Sequence, residues 1–426
     1  MKKDLLTALG FFRFFAINYP RKQLKLLLIL ILSIFYTSFL EAQTRTHLFN
    51  ANGSLILPAG INVVTVEAWG SGGAGGGAVS TLAEGRGAGG GGGGAYAKGD
   101  ITTVTPQTLN IIVGAATTGT SGNGASGGAS YVDTYNTVVY APGGTGGTAN
   151  TSGGAPAGGP GGTSPIGATA RNAGNAGNPG ASSLLGLGAI FNSGAGGNSG
   201  NTAGGIGTGG AALNSLLLGN NPGNPGNEPG GGGSGGMASL AQTQIGGGGA
   251  RGRVNITYIC KTYSLTGTSA PNVCTGTTSQ VQLTGTAASL PAGTYTVTYN
   301  TSLPNATGKT EPMVVSTAGS GSFTARGLTT LGNCIITVTS LTSVDCTSSI
   351  STNGVANIIV SAQPTITLGT TTAVCASASL QNVALPYTGV TNAPTNYSIT
   401  WNASPANSFL PVTNAVLPAT PINIAV

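Results

Sequence analysis

Glycine dominates the middle of the chain: 60 of the 183 residues from Gly70 to Gly252 are glycine. Glycine loses more backbone entropy on folding than any other residue and has no side chain to bury. A segment of this composition therefore stays disordered or becomes ordered through backbone hydrogen bonds between neighbouring runs of chain. Both outcomes make it poor material for an active site, and the composition indicates a secreted surface module.

Charged residues make up only 6% of the 426 residues, against about 25% in a typical soluble protein. The formal net charge of +6 arises mostly in the N-terminal segment, since beyond Ala42 the chain has 9 Lys and Arg against 7 Asp and Glu. No basic cluster remains that could bind a phosphate backbone, so we expect no nucleic-acid partner.

An apolar run of 15 residues, Leu26–Leu40, follows the basic N-terminal segment. This length is short for a bilayer span, and the pattern is typical of a secretory signal peptide. We interpret residues 1–42 as that signal, cleaved after Ala42; an uncleaved anchor is the alternative. With cleavage, we expect an extracellular or outer-cell-surface protein without stable membrane insertion, in a compartment where disulfides persist.

Segments with the two-residue alternation of β-strands surround the glycine tracts. The pattern predicts strands at His47–Leu57, Ile61–Trp69, Ala95–Val104, Thr108–Val113 and Arg253–Ile259. The predicted fold is all-β. Residues 43–259 are expected to form a β-sandwich with long glycine-rich insertions.

Three stretches of this region resemble the bacterial glycine-rich domain: LPAGINVVTVEAWGSGGAGGG, GGGGGGAYAKGDITTV and GGGGARGRVNITY. The resemblance implies that the glycine tracts fold as polyglycine II helices packed side by side. Such a helix repeats every three residues without internal hydrogen bonds, and the runs 174–180 and 194–200 have glycine at that step. A flexible linker is the alternative, against which apolar inserts such as Leu216–Leu218 argue.

Residues 260–362 contain six strand patterns spaced about ten residues apart, which predicts an immunoglobulin-like sandwich. Sequences such as LPAGTYTVTYNTSLPN and NCIITVTSL resemble the Ig-like repeats of large secreted proteins that use the type IX export route. Residues 363–426 resemble the first part of a PKD-like domain of the same proteins. That resemblance implies further sequence beyond Val426, including a sorting domain.

The cysteines all lie outside the glycine-rich tracts, at Cys260, Cys274, Cys334, Cys346 and Cys375. No C-x-x-C pair occurs and His47 is the sole imidazole, so structural disulfides are expected rather than a zinc site. The Ig-like resemblance implies the pair Cys274–Cys346, which leaves Cys260–Cys334. Four cysteines allow three pairings, so the alternatives stay open, and Cys375 would lack a partner in this chain.

The sequence matches several catalytic motif patterns, and we reject each of them. Gly85-x-Gly87-x-x-Gly90 lies in a run of glycines without the strand–turn–helix unit of a dinucleotide site. Two G-x-S-x-G matches, at Ser126 and Ser234, lie in low-complexity sequence. The carboxylates beyond Ala42 are too widely spaced to suggest glycoside hydrolysis. We therefore expect no enzyme activity and no catalytic, cofactor-binding or metal-binding residues.

Individual side chains are interpreted in structural terms. Glu67 is predicted to face solvent on a strand. Four aromatic residues are predicted to pack rather than to stack on sugars: Trp69, Tyr96, Tyr131 and Tyr140.

The sequence favours a non-catalytic adhesion or structural protein, in which a rigid glycine scaffold presents recognition loops. The loop tips are predicted at Ser182–Asn192 and Leu213–Asn221. We expect a surface polysaccharide or another cell-surface protein as partner. One alternative is a carbohydrate-binding accessory region of a larger exported enzyme whose catalytic domain lies outside this chain. A mechanical spacer without a ligand is the other.

Overall fold

The structure, a computed structural model, describes residues 43–104, 107–185, 190–200, 207–215, 218–371, 373, 381–400 and 411–425. The predicted signal peptide and Cys375 lie outside these residues. All regular elements in the described part of the chain are β-strands, which confirms the all-β class. No helix in that part is long and apolar enough for a membrane crossing. The chain divides into two compact units, one of residues up to Thr262 plus Val344–Cys346 and one of the remainder.

The first unit contains sixteen strands within the described residues: β1 (Thr44–Phe49), β2 (Gly53–Ile56), β3 (Val63–Trp69), β4 (Ala78–Val79), β5 (Glu84–Gly87), β6 (Tyr96–Thr102), β7 (Thr108–Ile112), β8 (Ser130–Val132), β9 (Tyr140–Ala141), β10 (Ala170–Asn172), β11 (Ser182–Leu184), β12 (Phe191–Asn192), β13 (Asn214–Ser215), β14 (Met237–Ala238), β15 (Thr243–Gln244) and β16 (Arg253–Ile259). A five-stranded antiparallel sheet has the order β1-β16-β3-β6-β10, and a four-stranded sheet has the order β2-β7-β8-β9. The remaining short strands pair as β11-β5-β14, β12-β13 and β15-β4.

The five-stranded sheet forms because β3 and β16 alternate between buried and more exposed residues along their length. Val64, Val66, Val254 and Ile256 have no more than 1% of their surface exposed and form one face of the sheet. Strand β3 ends at Trp69, and the chain enters the glycine-rich region directly from it.

Three glycine-rich threads form the centre of this region: thread A (70–77), thread B (87–95) and thread C (230–236). In thread A, residues 70, 73 and 76 donate backbone hydrogen bonds to the segment 89–95. Residues 71, 74 and 77 donate to the segment 122–128, and residues 72 and 75 donate to the segment 247–250, all at 2.9–3.0 Å. Successive amides thus point to three different neighbours in rotation, which is the three-residue repeat of a polyproline-II-type helix.

Thread B shows the same rotation. Its amides donate in rotation to three segments: 175–181, 230–236 and 142–148. Its carbonyls accept hydrogen bonds from thread A and from the segments 159–162 and 194–200. Each central thread is therefore bonded to other threads on all sides. Every amide of threads A, B and C has a backbone acceptor, so this buried backbone is satisfied without a regular sheet.

The threads lie so close together that a side chain would not fit between them. A Cβ atom added to Gly91 of thread B would lie 2.2 Å from the carbonyl oxygen of Gly73 in thread A. Alanine occurs where a methyl group has space, as in the cluster of Ala78, Ala88 and Ala238. The high glycine content is thus a packing requirement, and the alternative of a flexible linker is wrong for the described part of this region.

Nine strands form one sheet in the second unit, apart from Cys346 at the start of β24, which is assigned to the first unit: β17 (Gly267–Ser269), β18 (Val273–Cys274), β19 (Ser279–Thr284), β20 (Gly293–Ser302), β21 (Asn305–Thr317), β22 (Ser320–Ala325), β23 (Gly332–Ser343), β24 (Cys346–Ser349) and β25 (Val355–Ser361). The order is β17-β19-β22-β21-β20-β23-β25-β18, and β24 pairs with β23. The alternate residues of β20 and β23 that face inward, including Val297, Tyr299 and Ile336, are buried.

Six further strands in the second unit form three pairs: β26 (Thr365–Leu368) with β28 (Tyr387–Thr391), β27 (Asn382–Leu385) with β31 (Ile422–Ala425), and β29 (Asn396–Ile399) with β30 (Val412–Val416). The sandwich, Ig-like and PKD-like assignments stay predictions, as do the domain boundaries at 260 and 363.

One predicted strand is wrong. The stretch His47–Leu57 was expected to be continuous, but the chain bends at residues 50–52 and the two halves join different sheets. The bend contains Asn50 and Asn52, and β2 begins with Gly53; asparagine and glycine favour turns. The amide oxygen of Asn52 accepts a hydrogen bond from the Val113 amide at 2.8 Å, which fixes this bend against the end of β7.

Candidate functional site

The glycine threads end in a group of loops on the side away from the five-stranded sheet. Thread A starts next to Trp69 and runs for eight residues before β4. At about 3.1 Å per residue, these loops lie about 25 Å beyond the end of the sheet. We call this group the distal end and define it by its described residues, 78–86, 181–185, 190–192, 213–215, 218–221 and 237–245.

The described residues of both predicted loop tips, Ser182–Asn192 and Leu213–Asn221, lie at the distal end. Strand β11, from the first tip, pairs with β5, and β12 pairs with β13, which belongs to the second tip. Residues 186–189 and 216–217 of the tips lie outside the described residues. The structure thus brings two segments that are distant in sequence to one end of the scaffold.

A buried arginine organises the distal end. Arg86 is only 7% exposed, and its guanidinium binds Oε2 of Glu84 through two nitrogens, at 2.8 and 3.0 Å. A third nitrogen donates to the carbonyl oxygens of Val79 and Thr151. Because a buried charge is costly unless it is paired, these bonds hold β5 and β4 of the segment 78–86 together and attach them to the turn at Thr151.

Backbone and hydroxyl hydrogen bonds join the remaining distal loops. The Ser80 and Gln242 backbones are linked through the Ser80 hydroxyl and a direct bond of 3.0 Å. The Leu185 amide donates to the Ala83 carbonyl at 2.8 Å, and the Gly219 amide donates to the Ser239 hydroxyl at 3.1 Å. The distal end is therefore one connected surface rather than a set of independent loops.

The distal end exposes aliphatic side chains together with uncharged polar ones, the latter at Thr81, Asn214, Asn220, Asn221, Gln242 and Thr243. Six large apolar side chains there are exposed, with Leu82 the most exposed at 75%: Leu82, Leu184, Ile190, Leu218, Leu240 and Ile245. Among the described distal residues, the only charged side chains are Glu84 and Arg86, which neutralise each other. Loops that expose several large apolar side chains are typical of interaction sites.

One distal turn has an unfavourable sequence. The Gln242 amide donates to the Ser239 carbonyl across Leu240 and Ala241, whose φ angles are 55° and 56°. Positive φ at both central positions is the geometry of a type I′ turn, for which Asn-Gly is strongly preferred. Leucine and alanine are strained there, and the turn holds Leu240 with its side chain exposed.

The sequence indicated neither the buried Arg86–Glu84 pair nor the strained turn. Arg86 and Glu84 stand two residues apart in a short glycine-containing stretch without a recognisable motif. The turn Ser239–Gln242 lacks the glycine, asparagine or proline by which turns are recognised. Alternation of Glu, Gly, Arg and Gly in β5 was the only available signal for a strand there.

The predicted disulfide pairing is wrong. Cys260 bonds to Cys346, with an S–S distance of 2.02 Å and a Cα–Cα distance of 5.4 Å, and Cys274 and Cys334 are free. Cys260 follows β16, where its amide donates to the Gln43 carbonyl, so it belongs to the first unit together with Cys346. Strand β25 lies between the strands of Cys274 and Cys334, and two strand spacings of about 9.6 Å exceed the reach of a disulfide.

Cys260 and Cys346 also lie in a group of side chains of the types that bind metal ions. Cys260, Cys346 and Asp345 place their ligand atoms within 4.8 Å of one another. Because the two sulfur atoms are bonded to each other, they are not available as thiolate ligands. Asp345 instead bonds to His47 Nε2 at 3.1 Å and to the Tyr258 hydroxyl at 2.8 Å.

The prediction that Glu67 faces solvent is wrong. Its Oε1 accepts a hydrogen bond from the Tyr96 hydroxyl at 2.9 Å and lies 3.2 Å from Lys98 Nζ, and its side chain is mostly buried. Burial, with the hydrogen bond to Glu67 and its charge adding to it, raises the pKa of Tyr96 above the ordinary value for tyrosine. These groups form a structural network at the junction of β3 and β6.

The four predicted packing aromatics pack in two pairs, and Ser234 of a rejected motif belongs to a glycine thread. Trp69 and Tyr96 are buried and pack with ring centroids 5.0 Å apart, while Tyr131 and Tyr140 are half-buried neighbours at 5.5 Å. Ser234 lies in thread C, where its hydroxyl accepts a hydrogen bond from the Asn224 amide at 2.8 Å.

A cleft of about 560 Å³ lies along β1, β3 and β16. Threonine and aliphatic side chains line most of it, and Lys261 is the one charged residue in the lining. It brings together neither a pair of carboxylates nor a nucleophile with a base, and the distal end remains the better candidate site.

No curated protein matches the chain. Residues 50–259 match a family model described as a glycine-rich domain. This range includes the three central threads and the distal end. Over residues 50–259, the chain is therefore similar to the glycine-rich domain family.

Proposed function

We propose that the chain is a non-catalytic secreted or cell-surface adhesion protein, in which the glycine threads hold a recognition surface away from the sheet. The supporting observation is the connected distal end, which exposes six large aliphatic side chains and has no unpaired charge among its described residues, at the tip of threads whose backbone is bonded on all sides. Loops positioned by a rigid scaffold commonly perform recognition.

The stiffness of the threads has a functional consequence. A disordered linker of the same length would allow the loops to fluctuate, and ordering them on binding would cost affinity. With the loops joined by backbone and hydroxyl hydrogen bonds, that entropy is lost during folding instead. The Ig-like and PKD-like segments would act as spacers, and the N-terminal segment would direct export.

The proposal is tested by displaying the full chain on cells and measuring their attachment under flow. The probes are octyl-coated glass as an apolar surface, bare glass, and films of cellulose and agarose. We expect retention on octyl-coated glass that is lost with Leu82→Asn combined with Leu240→Asn. Leu48→Asn is the matched control, because Leu48 is 54% exposed but lies on β1 of the five-stranded sheet, outside the distal end.

Two results would contradict the proposal. Equal retention of wild-type and distal-variant cells would remove the distal end as the adhesive surface. Saturable binding to one polysaccharide film that depends on Tyr131 and Tyr140 would instead favour the carbohydrate-binding alternative.

A further inference from the structure

Four side chains of metal-binding types meet at the end of β16. Cys260 and Cys346 form the disulfide, and Asp345 places a carboxylate oxygen within 4.8 Å of both sulfur atoms. His47 adds an imidazole nitrogen, since its Nε2 lies 3.1 Å from Oδ2 of Asp345. All four residues belong to the first unit. Among the described residues, no other group of three or more His, Cys, Asp or Glu side chains is close enough to hold a metal ion.

The disulfide determines whether these ligands are available. While the two sulfur atoms share a bond, neither is a thiolate. A phosphine cleaves this bond with one water molecule, becomes a phosphine oxide and leaves two thiols. Binding of a divalent ion then releases both thiol protons to solvent. The reduced chain thus offers two thiolates, a carboxylate and an imidazole, and four ligands are the number that zinc takes in a structural site.

The spacing of these groups fits tetrahedral coordination. Nitrogen and oxygen ligands at about 2.0–2.1 Å from zinc lie roughly 3.3 Å apart, and His47 Nε2 and Asp345 Oδ2 are already 3.1 Å apart. The Tyr258 hydroxyl donates to Oδ1 of Asp345 at 2.8 Å, so it orients the carboxylate as outer-shell partners of metal ligands do. Two sulfur ligands at about 2.3 Å from zinc lie roughly 3.8 Å apart, and cleavage of the S–S bond permits that separation.

Charge and exposure also suit a divalent cation. Two thiolates and one carboxylate exceed the charge of Zn²⁺ by one negative charge. Arg45 lies beside the group and donates from Nη2 to the Asp345 carbonyl oxygen at 3.0 Å, so its charge balances that excess. Cys346 is fully buried, whereas the side chains of His47 and Asp345 are 30% and 31% exposed. The group is therefore enclosed around Cys346 and open to an ion from solvent at His47 and Asp345.

We propose that Cys260, Cys346, Asp345 and His47 form a zinc site in the reduced chain, and that zinc binding and disulfide formation exclude each other. The ion and the disulfide have the same structural effect, because each joins the turn Val344–Cys346 to the end of β16. The thiolate pair selects zinc over magnesium and calcium, which prefer oxygen ligands. This inference is independent of the proposed adhesive function, and its test does not involve adhesion.

The test titrates the full chain with Co²⁺, a spectroscopic substitute for zinc, before and after reduction with a phosphine. The reduced chain should bind a single Co²⁺ with the visible absorption of tetrahedral cobalt and a thiolate-to-cobalt charge-transfer band. Added Zn²⁺ should remove both bands, and the oxidised chain should show neither. At a hundredfold excess over its Kd, Zn²⁺ should raise the thermal midpoint of the reduced chain by about 5–10 °C and leave that of the oxidised chain unchanged.

Cysteine variants identify the thiolates that bind the ion. Cys274→Ala combined with Cys334→Ala and Cys375→Ala is the matched control, because it removes the remaining cysteines of the chain and should bind Co²⁺ like wild type. Cys260→Ser with Cys346→Ser should abolish both bands. Bands of wild-type intensity in this second variant would overturn the site, because other thiols would then hold the ion.

The two ligands without sulfur distinguish a built site from a pair of thiols. His47→Gln and Asp345→Asn should each weaken binding of Co²⁺ at least tenfold. Equal affinity of these variants and wild type would contradict the proposal, as would a reduced wild-type chain that binds no Co²⁺. Binding without a rise in the thermal midpoint would also refute it, because the unfolded chain would then hold the ion equally well.

Discussion

Adding one methyl group to the centre of the glycine bundle tests whether its close packing is required. Gly91 is buried in thread B, where its amide donates to Gly233 and its carbonyl accepts from Gly197, both at 2.8 Å. In Gly91→Ala, the new Cβ would lie 2.2 Å from the Gly73 oxygen and 2.6 Å from the Ala74 oxygen. These atoms belong to the backbone, so a rotamer change cannot relieve the overlap.

The expected loss of stability follows from three contributions. Overpacking of a dense interior costs about 1–3 kcal/mol. Moving the Gly73 carbonyl by roughly 1 Å also breaks its hydrogen bond from Gly233, and an unsatisfied buried group costs about 1–3 kcal/mol. Alanine also lowers the conformational entropy of the unfolded chain, which offsets about 0.4–1 kcal/mol of this loss. The net loss is about 3 kcal/mol, or a midpoint lowered by about 6–12 °C for a unit of this size.

Gly122→Ala is the matched control, since no atom lies within 4 Å of the added Cβ and the Gly122 carbonyl keeps its bond from Gly77. This variant should be unchanged or more stable by about 0.4–1 kcal/mol. Calorimetry and far-ultraviolet circular dichroism would measure both midpoints. Equal midpoints for Gly91→Ala and Gly122→Ala would refute the close packing of the threads.

Three further predictions concern other parts of the first unit. Leu240→Asn with Ala241→Gly should raise stability by about 1–2 kcal/mol, because the left-handed turn is no longer strained; a lower urea midpoint would contradict this. Cys260→Ser with Cys346→Ser should lower stability by about 2–5 kcal/mol through loss of the cross-link, and an unchanged urea midpoint would count against it. The raised pKa of Tyr96 means that the unfolded chain ionises first, so stability should fall as pH rises above about 10. Tyr96→Phe should show a smaller fall between about pH 9 and 11 in pH-dependent denaturation, and an equal fall would exclude Tyr96 as its source.

The strands of the first unit were largely predictable because one face of each is buried. Alternation from Ile61 to Trp69 corresponds to β3, which begins at Val63, and the predicted Arg253–Ile259 has the same bounds as β16. The division of His47–Leu57 into two strands was missed, because the apolar residues on both sides of the bend suggested one element.

The neighbours of each glycine thread could not be predicted. Side-chain patterns encode which face of a strand or helix is buried, but the threads bond through backbone groups that are identical at every residue. The pairing of thread A with the segments 89–95, 122–128 and 247–250 therefore has no sequence signature. Glycine density showed that contact between backbones was needed, without showing which backbones meet.

The distal end was predictable as loops but not as a surface. The two predicted tips contain apolar residues that argued against a linker, and the structure joins them to loops around Leu82 and Leu240. That assembly depends on the pairing of β5 with β11 and β14 and on a turn whose residues oppose its geometry. Neither local propensity nor composition reveals a contact of this kind.

Hydrogen exchange of the amides in threads A, B and C is the most direct test of the central claim that backbone bonds between extended threads make this region rigid. Every one of these amides donates to a neighbouring backbone carbonyl, and successive residues use different neighbours. All should therefore exchange together and at least about 1,000 times more slowly than in an unfolded chain, because opening one thread breaks bonds to several others. Exchange at random-coil rates in threads A, B and C would contradict the account.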